Sequence, residues 1–116
     1  MSTKQGASVF VALLVVIFSV ISNCANAQVH IRGGRSCGVW IEDKRNKDTR
    51  AEIGNQNWLI GYLSGLASAW NKDILAGTDN PSIFLWVDNY CQANPLMRLD
   101  DAAEALARDL LQQKGL

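Results

Sequence analysis

The sequence predicts an all-α protein, a small bundle of three main helices plus a short N-terminal element, with one disulfide. Three observations predict it. Apolar side chains recur at helical spacing in three separate segments, Gly, Asn and Pro interrupt the chain between those segments, and no alternating run is long enough to demand a sheet.

The N-terminus comes first. Lys4 precedes an apolar stretch from Val9 to Ile21, which is followed by Ser22-Asn23-Cys24-Ala25-Asn26-Ala27-Gln28. This is the three-part layout of a cleavable secretory signal, with small residues at Ala25 and Ala27 placing the cut between Ala27 and Gln28. Two other readings compete. A retained anchor would need about 20 apolar residues to cross the hydrocarbon core, more than this run offers. A lipidated Cys24 would want Gly or Ala where Asn23 stands. The expected organisation is therefore a signal peptide over 1–27, a flexible leader over 28–36 and one helical domain over 37–116.

Removing 27 of the 116 residues leaves 89, enough for one domain and too few for two. Lys4 departs with the signal, so ten basic residues face eleven acidic ones. A charge so near balance offers no electrostatic case for nucleic acid or for an anionic membrane, and no stable membrane anchor is expected after cleavage. Cys24 also departs. In an oxidising compartment, periplasmic or extracellular, the remaining Cys37 and Cys91 are expected to pair. Closing a loop of that length stabilises a domain by about 4 kcal/mol in the chain-entropy model, a large share of a total of about 5 to 10 kcal/mol.

The leader contains Gly33-Gly34 between Arg32 and Arg35 and has no apolar period. Cys37 to Ile41 is a short apolar patch that could begin a helix or run extended. Glu42 to Arg50 mixes both charge signs and reads as a solvated loop or a frayed helix end. From Ile53 to Ile74 the period becomes helical: Trp58, Tyr62, Leu66 and Trp70 recur every four residues, widened by Leu59 and Leu63. Beside that stripe lie Gly61, Ser64, Gly65, Ser68 and Ala69. Small residues on a helix face cost propensity, up to about 1 kcal/mol per Gly, and the expected compensation is close approach of another helix.

Gly77 suits a left-handed turn, Asn80 a helix cap and Pro81 a first helical position. The helix that follows carries Ile83, Trp86, Val87, Tyr90 and Cys91 on one face and should stop at Asn94-Pro95. Asp88 falls off that stripe, toward solvent. Asp101 and Glu104 have capping-box spacing for an alanine-rich last helix with Ala102, Ala103, Leu106, Leu110 and Leu111 on its apolar side, ending at Lys114-Gly115.

Catalytic signals are thin. His30, the sole imidazole, stands in the leader, where nothing would hold it as a base, and no cluster of His, Cys and carboxylates offers a metal site. The expectation is a protein that is not an enzyme and carries no cofactor. Trp40 and Phe84 lie off the main stripes, where they either fill gaps in the core or form an exposed aromatic patch.

Three segments carry a family likeness: Ser36-Cys37-Gly38-Val39-Trp40, Trp58 to Gly65, and Tyr90-Cys91-Gln92-Ala93-Asn94-Pro95 leading into Leu99 to Ala103. Together they resemble the HdeA/HdeB-like small periplasmic proteins and the related Tai-type family of immunity proteins for amidase effectors. The resemblance implies an all-helical periplasmic domain with one disulfide, Cys37 to Cys91, often a homodimer, whose partners are other proteins. In one branch those are unfolding clients in acid; in the other, a cell-wall amidase whose cleft is blocked. No partner-binding residue can be carried over. Full protonation of the carboxylates would leave the mature chain near +11, and self-repulsion would loosen its packing, although almost any charge-balanced protein does the same.

Overall fold

In the computed structural model, residues 9–10 and 29–116 are described; the rest of the segment read as a signal and the expected cut between Ala27 and Gln28 lie outside the described residues. One compact unit runs from Ile31 to Leu116. It holds four helices, α1 (Cys37–Arg45), α2 (Thr49–Trp70), α3 (Asn80–Ala93) and α4 (Leu99–Lys114). Among the described residues there is no strand, only an isolated antiparallel bridge between Ser36 and Arg98.

The short N-terminal element is helical because Ser36 caps it: its hydroxyl accepts from the Val39 N–H at 3.2 Å. The charged segment after it divides in two. Helix α1 continues through Lys44 and Arg45, whose charge suits a helix C-terminus, and Asp48 then caps α2 by accepting from the Ala51 N–H at 3.1 Å. Thus α2 begins earlier than the apolar period suggests. It also stops earlier, at Trp70, because Asn71 takes up a left-handed conformation (φ 51°). Ile74 lies beyond the helix yet is fully buried, and Lys114 reaches back to hold its carbonyl at 2.7 Å.

The cap of α3 is Asp79, one residue before the expected Asn80, which moves Pro81 to the second helical position. Its carboxylate accepts from the Ser82 N–H and hydroxyl, and these bonds, the backbone one foremost, hold its pKa below the ordinary value. The helix ends at Asn94, as the following proline requires. The box at the start of α4 is shifted by one turn: the Arg98 N–H donates to Asp101 at 2.9 Å, so Asp101 is the reaching acid and not the cap. Glu104 is thereby free for a tertiary bond.

Helix α4 is the axis of the bundle, packed against α1, α2 and α3. Ala102, Ala103 and Ala107 are each completely buried on it, and Leu99, Leu106 and Leu110 fill the spaces between. The α1 and α3 helices form a second layer joined by the Cys37–Cys91 disulfide, with Cα atoms 4.8 Å apart.

Two expectations need correction. The segment read as a flexible leader is, from Ile31 onward, part of the compact unit. The Arg35 carbonyl accepts from Leu99 at 2.8 Å, the Cys37 N–H donates to Met97 at 2.8 Å, and the Trp58 indole donates to the Arg32 carbonyl at 3.0 Å. Gly33 and Gly34 are there because the chain crosses the Trp58 ring: a Cβ on either would approach an indole atom to 2.8 or 2.9 Å, and Gly33 also has φ +82°. The second correction concerns the small-residue face of α2. Gly61, Ser64, Gly65, Ser68 and Ala69 face solvent, and a Cβ on Gly61 or Gly65 would meet nothing within 4 Å.

Candidate functional site

A concave feature lies between α1 and α3. It is an open groove of about 580 Å³ whose walls are Val39, Ile41, Glu42 and Arg45 from α1 and Gln92 from α3, with Pro95 at one end and Cys91 in its floor. The disulfide braces it. By pinning the start of α1 against the last turn of α3, the bond fixes the separation of the two walls; its sulfurs lie inward, with Cys37 wholly buried and Cys91 1 % exposed. Structural bracing, not thiol exchange, is what such a position serves.

At its other end the groove meets a small polar cluster. Ile41, Lys44, Arg45, Asp88 and Gln92 line an adjoining recess. Asp88 is 7 % exposed, against the expectation that it points to solvent. The reason is that α3 packs on two neighbours, so its buried arc is wider than the stripe facing α4. Asp88 occupies the edge facing α1, where it accepts from the Trp40 indole at 2.7 Å and pairs with Lys44. A carboxylate leaves water at this little cost only when both its oxygens are met. Trp40 itself is 4 % exposed and packs against the half-buried Phe84 with ring centroids 6.4 Å apart, so these two fill the α1–α3 layer and do not form an exposed patch.

The aromatic side chains serve as ties between elements. Trp58 stacks on Tyr62 with centroids 5.1 Å apart, and Trp86 stacks on Tyr90 at 5.5 Å. The Trp86 indole donates to Asp109 of α4 at 3.1 Å. The Tyr62 hydroxyl donates to Glu104 at 3.0 Å, and Arg108 holds the other oxygen of that carboxylate at 3.1 Å. Burial, followed by the bond to Glu104, pushes the Tyr62 pKa up to about 12. These are packing arrangements: the polar heads of Trp58, Tyr62 and Trp86 are each occupied by a structural partner.

Beside the groove the 94–98 turn projects apolar side chains into water. Leu96 is 95 % exposed and Met97 42 %, while Leu85, on α3, is 60 % exposed. Reading the segment only as a turn misses this; the usable signal was an adjacent Leu and Met in a connection where polar residues are the norm. Among the described residues no group of three His, Cys, Asp or Glu could hold a metal ion, and no helix is long and apolar enough to cross a membrane. His30 is exposed.

Fold and groove together define a class, the small all-α domain braced by one disulfide between its first and third helices. No family model, curated protein or solved structure matches the chain.

Proposed function

We propose that this chain is an exported module, periplasmic or secreted, that acts by binding other proteins and performs no catalysis. The observation that carries the reading is the set of apolar side chains in water, Leu96 at 95 % exposure above all, next to a groove held open by the disulfide. An isolated exposed leucine is ordinary; Leu96 and Met97 together on a turn that the Cys37–Met97 and Leu99–Arg35 bonds hold rigidly form a presented surface. Support for export comes from the N-terminal signal layout and from a buried cystine, which persists in an oxidising compartment.

Within that reading we place first an acid-stress chaperone of the HdeA-like kind, following the segment resemblance. The test is aggregation of an unfolding client at about pH 2 to 3, where carboxylates are neutral, with and without the oxidised protein. Suppression that weakens in Leu96→Ser is the expected result, and no suppression at all removes the chaperone reading. The alternative is an immunity protein that blocks a secreted cell-wall amidase. The same resemblance favours it, and stoichiometric inhibition of an amidase encoded beside this gene would establish it. A small cell-wall hydrolase ranks last, and carboxylate-by-carboxylate substitution with an assay on cell-wall fragments tests it.

A further inference from the structure

A second concavity, which shares no lining residue with the α1–α3 groove, lies where the crossing segment 33–35 meets the first turns of α2. It encloses about 420 Å³ and is lined by Gly33, Arg35, Asp48, Arg50, Asn55 and Trp58, among others. Both walls are fixed by bonds already described: Trp58 holds the Arg32 carbonyl and Leu99 holds that of Arg35, while Arg50 stands in the first turn of a 22-residue helix.

The charges here are unspent. Neither Arg35 nor Arg50 forms an ion pair with any described residue, whereas Lys44, Arg98 and Arg108 each do. The single acid in the lining, Asp48, is engaged as the α2 cap. Asn55 is 6 % exposed, and its Nδ2 donates to Asp43 at 2.8 Å. Its Oδ1 accepts from no described residue, which leaves an acceptor at a cleft that Arg35 and Arg50 help to line. The N-terminus of α2 adds positive potential to that end of the cleft.

We infer that this cleft binds the C-terminal carboxylate of a peptide chain. The carboxylate would sit between Arg35 and Arg50, each able to give it two parallel N–H bonds. The N–H of the peptide's last residue would meet Asn55 Oδ1, and that residue's side chain would rest by Trp58. The groups present match that ligand in kind: paired cationic donors for an oxyanion, one acceptor for an amide hydrogen, and an indole for an apolar side chain. The inference does not depend on the α1–α3 groove or on chaperone activity.

The test is a titration of the oxidised, isotope-labelled protein with N-acetyl-alanyl-alanine, its C-terminal amide, and inorganic phosphate, following the Trp58 indole and the Gly33 and Gly34 amides by NMR. The expected result is millimolar binding of the free acid that shifts these three signals, with the amide and phosphate each at least about tenfold weaker. Arg35→Gln and Arg50→Gln should each weaken the free acid by about tenfold, and added salt should weaken it further. Asp48→Asn retains a good helix cap and removes the one acid of the lining, leaving Asp43 bonded to Asn55 as the nearby carboxylate, so it should bind more tightly. Arg50 is exposed and tied to no described residue, so its variant remains informative should Arg35→Gln perturb the fold. Equal binding of acid and amide, phosphate binding as tight as the acid, no shift at any signal, or indifference to Arg50→Gln would each overturn the assignment.

Discussion

Helices α2 and α4 carry the same kind of sequence signal and put it to opposite uses. Each has small residues on one face at helical spacing: Gly61, Ser64, Gly65 and Ser68 on α2, and Ala102, Ala103 and Ala107 on α4. In α4 the small face is buried, with all three alanines completely covered. In α2 it faces solvent, and no neighbour lies within 4 Å of where a side chain on Gly61 or Gly65 would begin. The difference follows from position. Helix α4 is surrounded by three others, so something on it must be small, whereas α2 meets its neighbours α1 and α4 through Asn55, Leu59, Leu63 and the stripe of large residues beside them.

The sharpest way to break that comparison is to add volume to each face. Ala103→Leu places three heavy atoms where there is no room and should cost about 1 to 3 kcal/mol, read as a lower urea midpoint at unchanged slope. If the variant is as stable as the parent, α4 is not the packed axis of the bundle. On α2 the sign reverses. Gly61→Ala and Gly65→Ala remove backbone freedom from the unfolded chain and meet no obstruction, so each should stabilise by about 0.4 to 1 kcal/mol. A loss of stability in either would show that this face is covered in solution, and sedimentation of the parent protein would identify a second copy as the cover. Gly33→Ala is the control: there the φ of +82° and the Trp58 ring make the same substitution destabilising.

The smallest expected effect concerns the bond that joins the two helices. The Tyr62 hydroxyl donates to Glu104, and its pKa in the folded protein is raised from 10.0 to about 12. Folding therefore favours the protonated phenol. The associated stability is complete below pH 10 and is lost as the pH rises through about 12. Tyr62→Phe should be less stable near neutrality and should lose less stability across that alkaline window. Urea titrations at neutral pH and at several values inside the window measure both parts. Identical alkaline curves for parent and variant would mean that the α2–α4 tie does not involve this proton.

Much of the architecture was legible in advance because it is written in local chemistry. The three long helices follow from apolar period, and the stop at Asn94 from Pro95. The helix boundaries moved where a cap competed with the period: Asp48 draws α2 forward by about a turn, Asp79 takes the cap from Asn80 one residue on, and Arg98 and Asp101 displace the expected box by about a turn. Side chains that can cap are more numerous than helix starts, and tertiary packing chooses among them. The candidate sites were much less legible. The α1–α3 groove needs residues 36 to 45 and 88 to 95 together, and the arginine cleft needs 33 to 35 beside 48 to 58. Neither pairing is visible in a linear pattern.

The sequence by itself determined the all-α class, the cystine between Cys37 and Cys91, and the apolar stripe of each long helix, because these depend on spacing and on caps and breakers. Only the tertiary structure decided which small-residue face is covered, that Asp88 is held inside by Trp40 and Lys44, and that the glycine segment is clamped across Trp58. Those outcomes depend on which element arrives from elsewhere in the chain. A helix surface specifies what it can pack against, and the arrangement of the other helices determines what does.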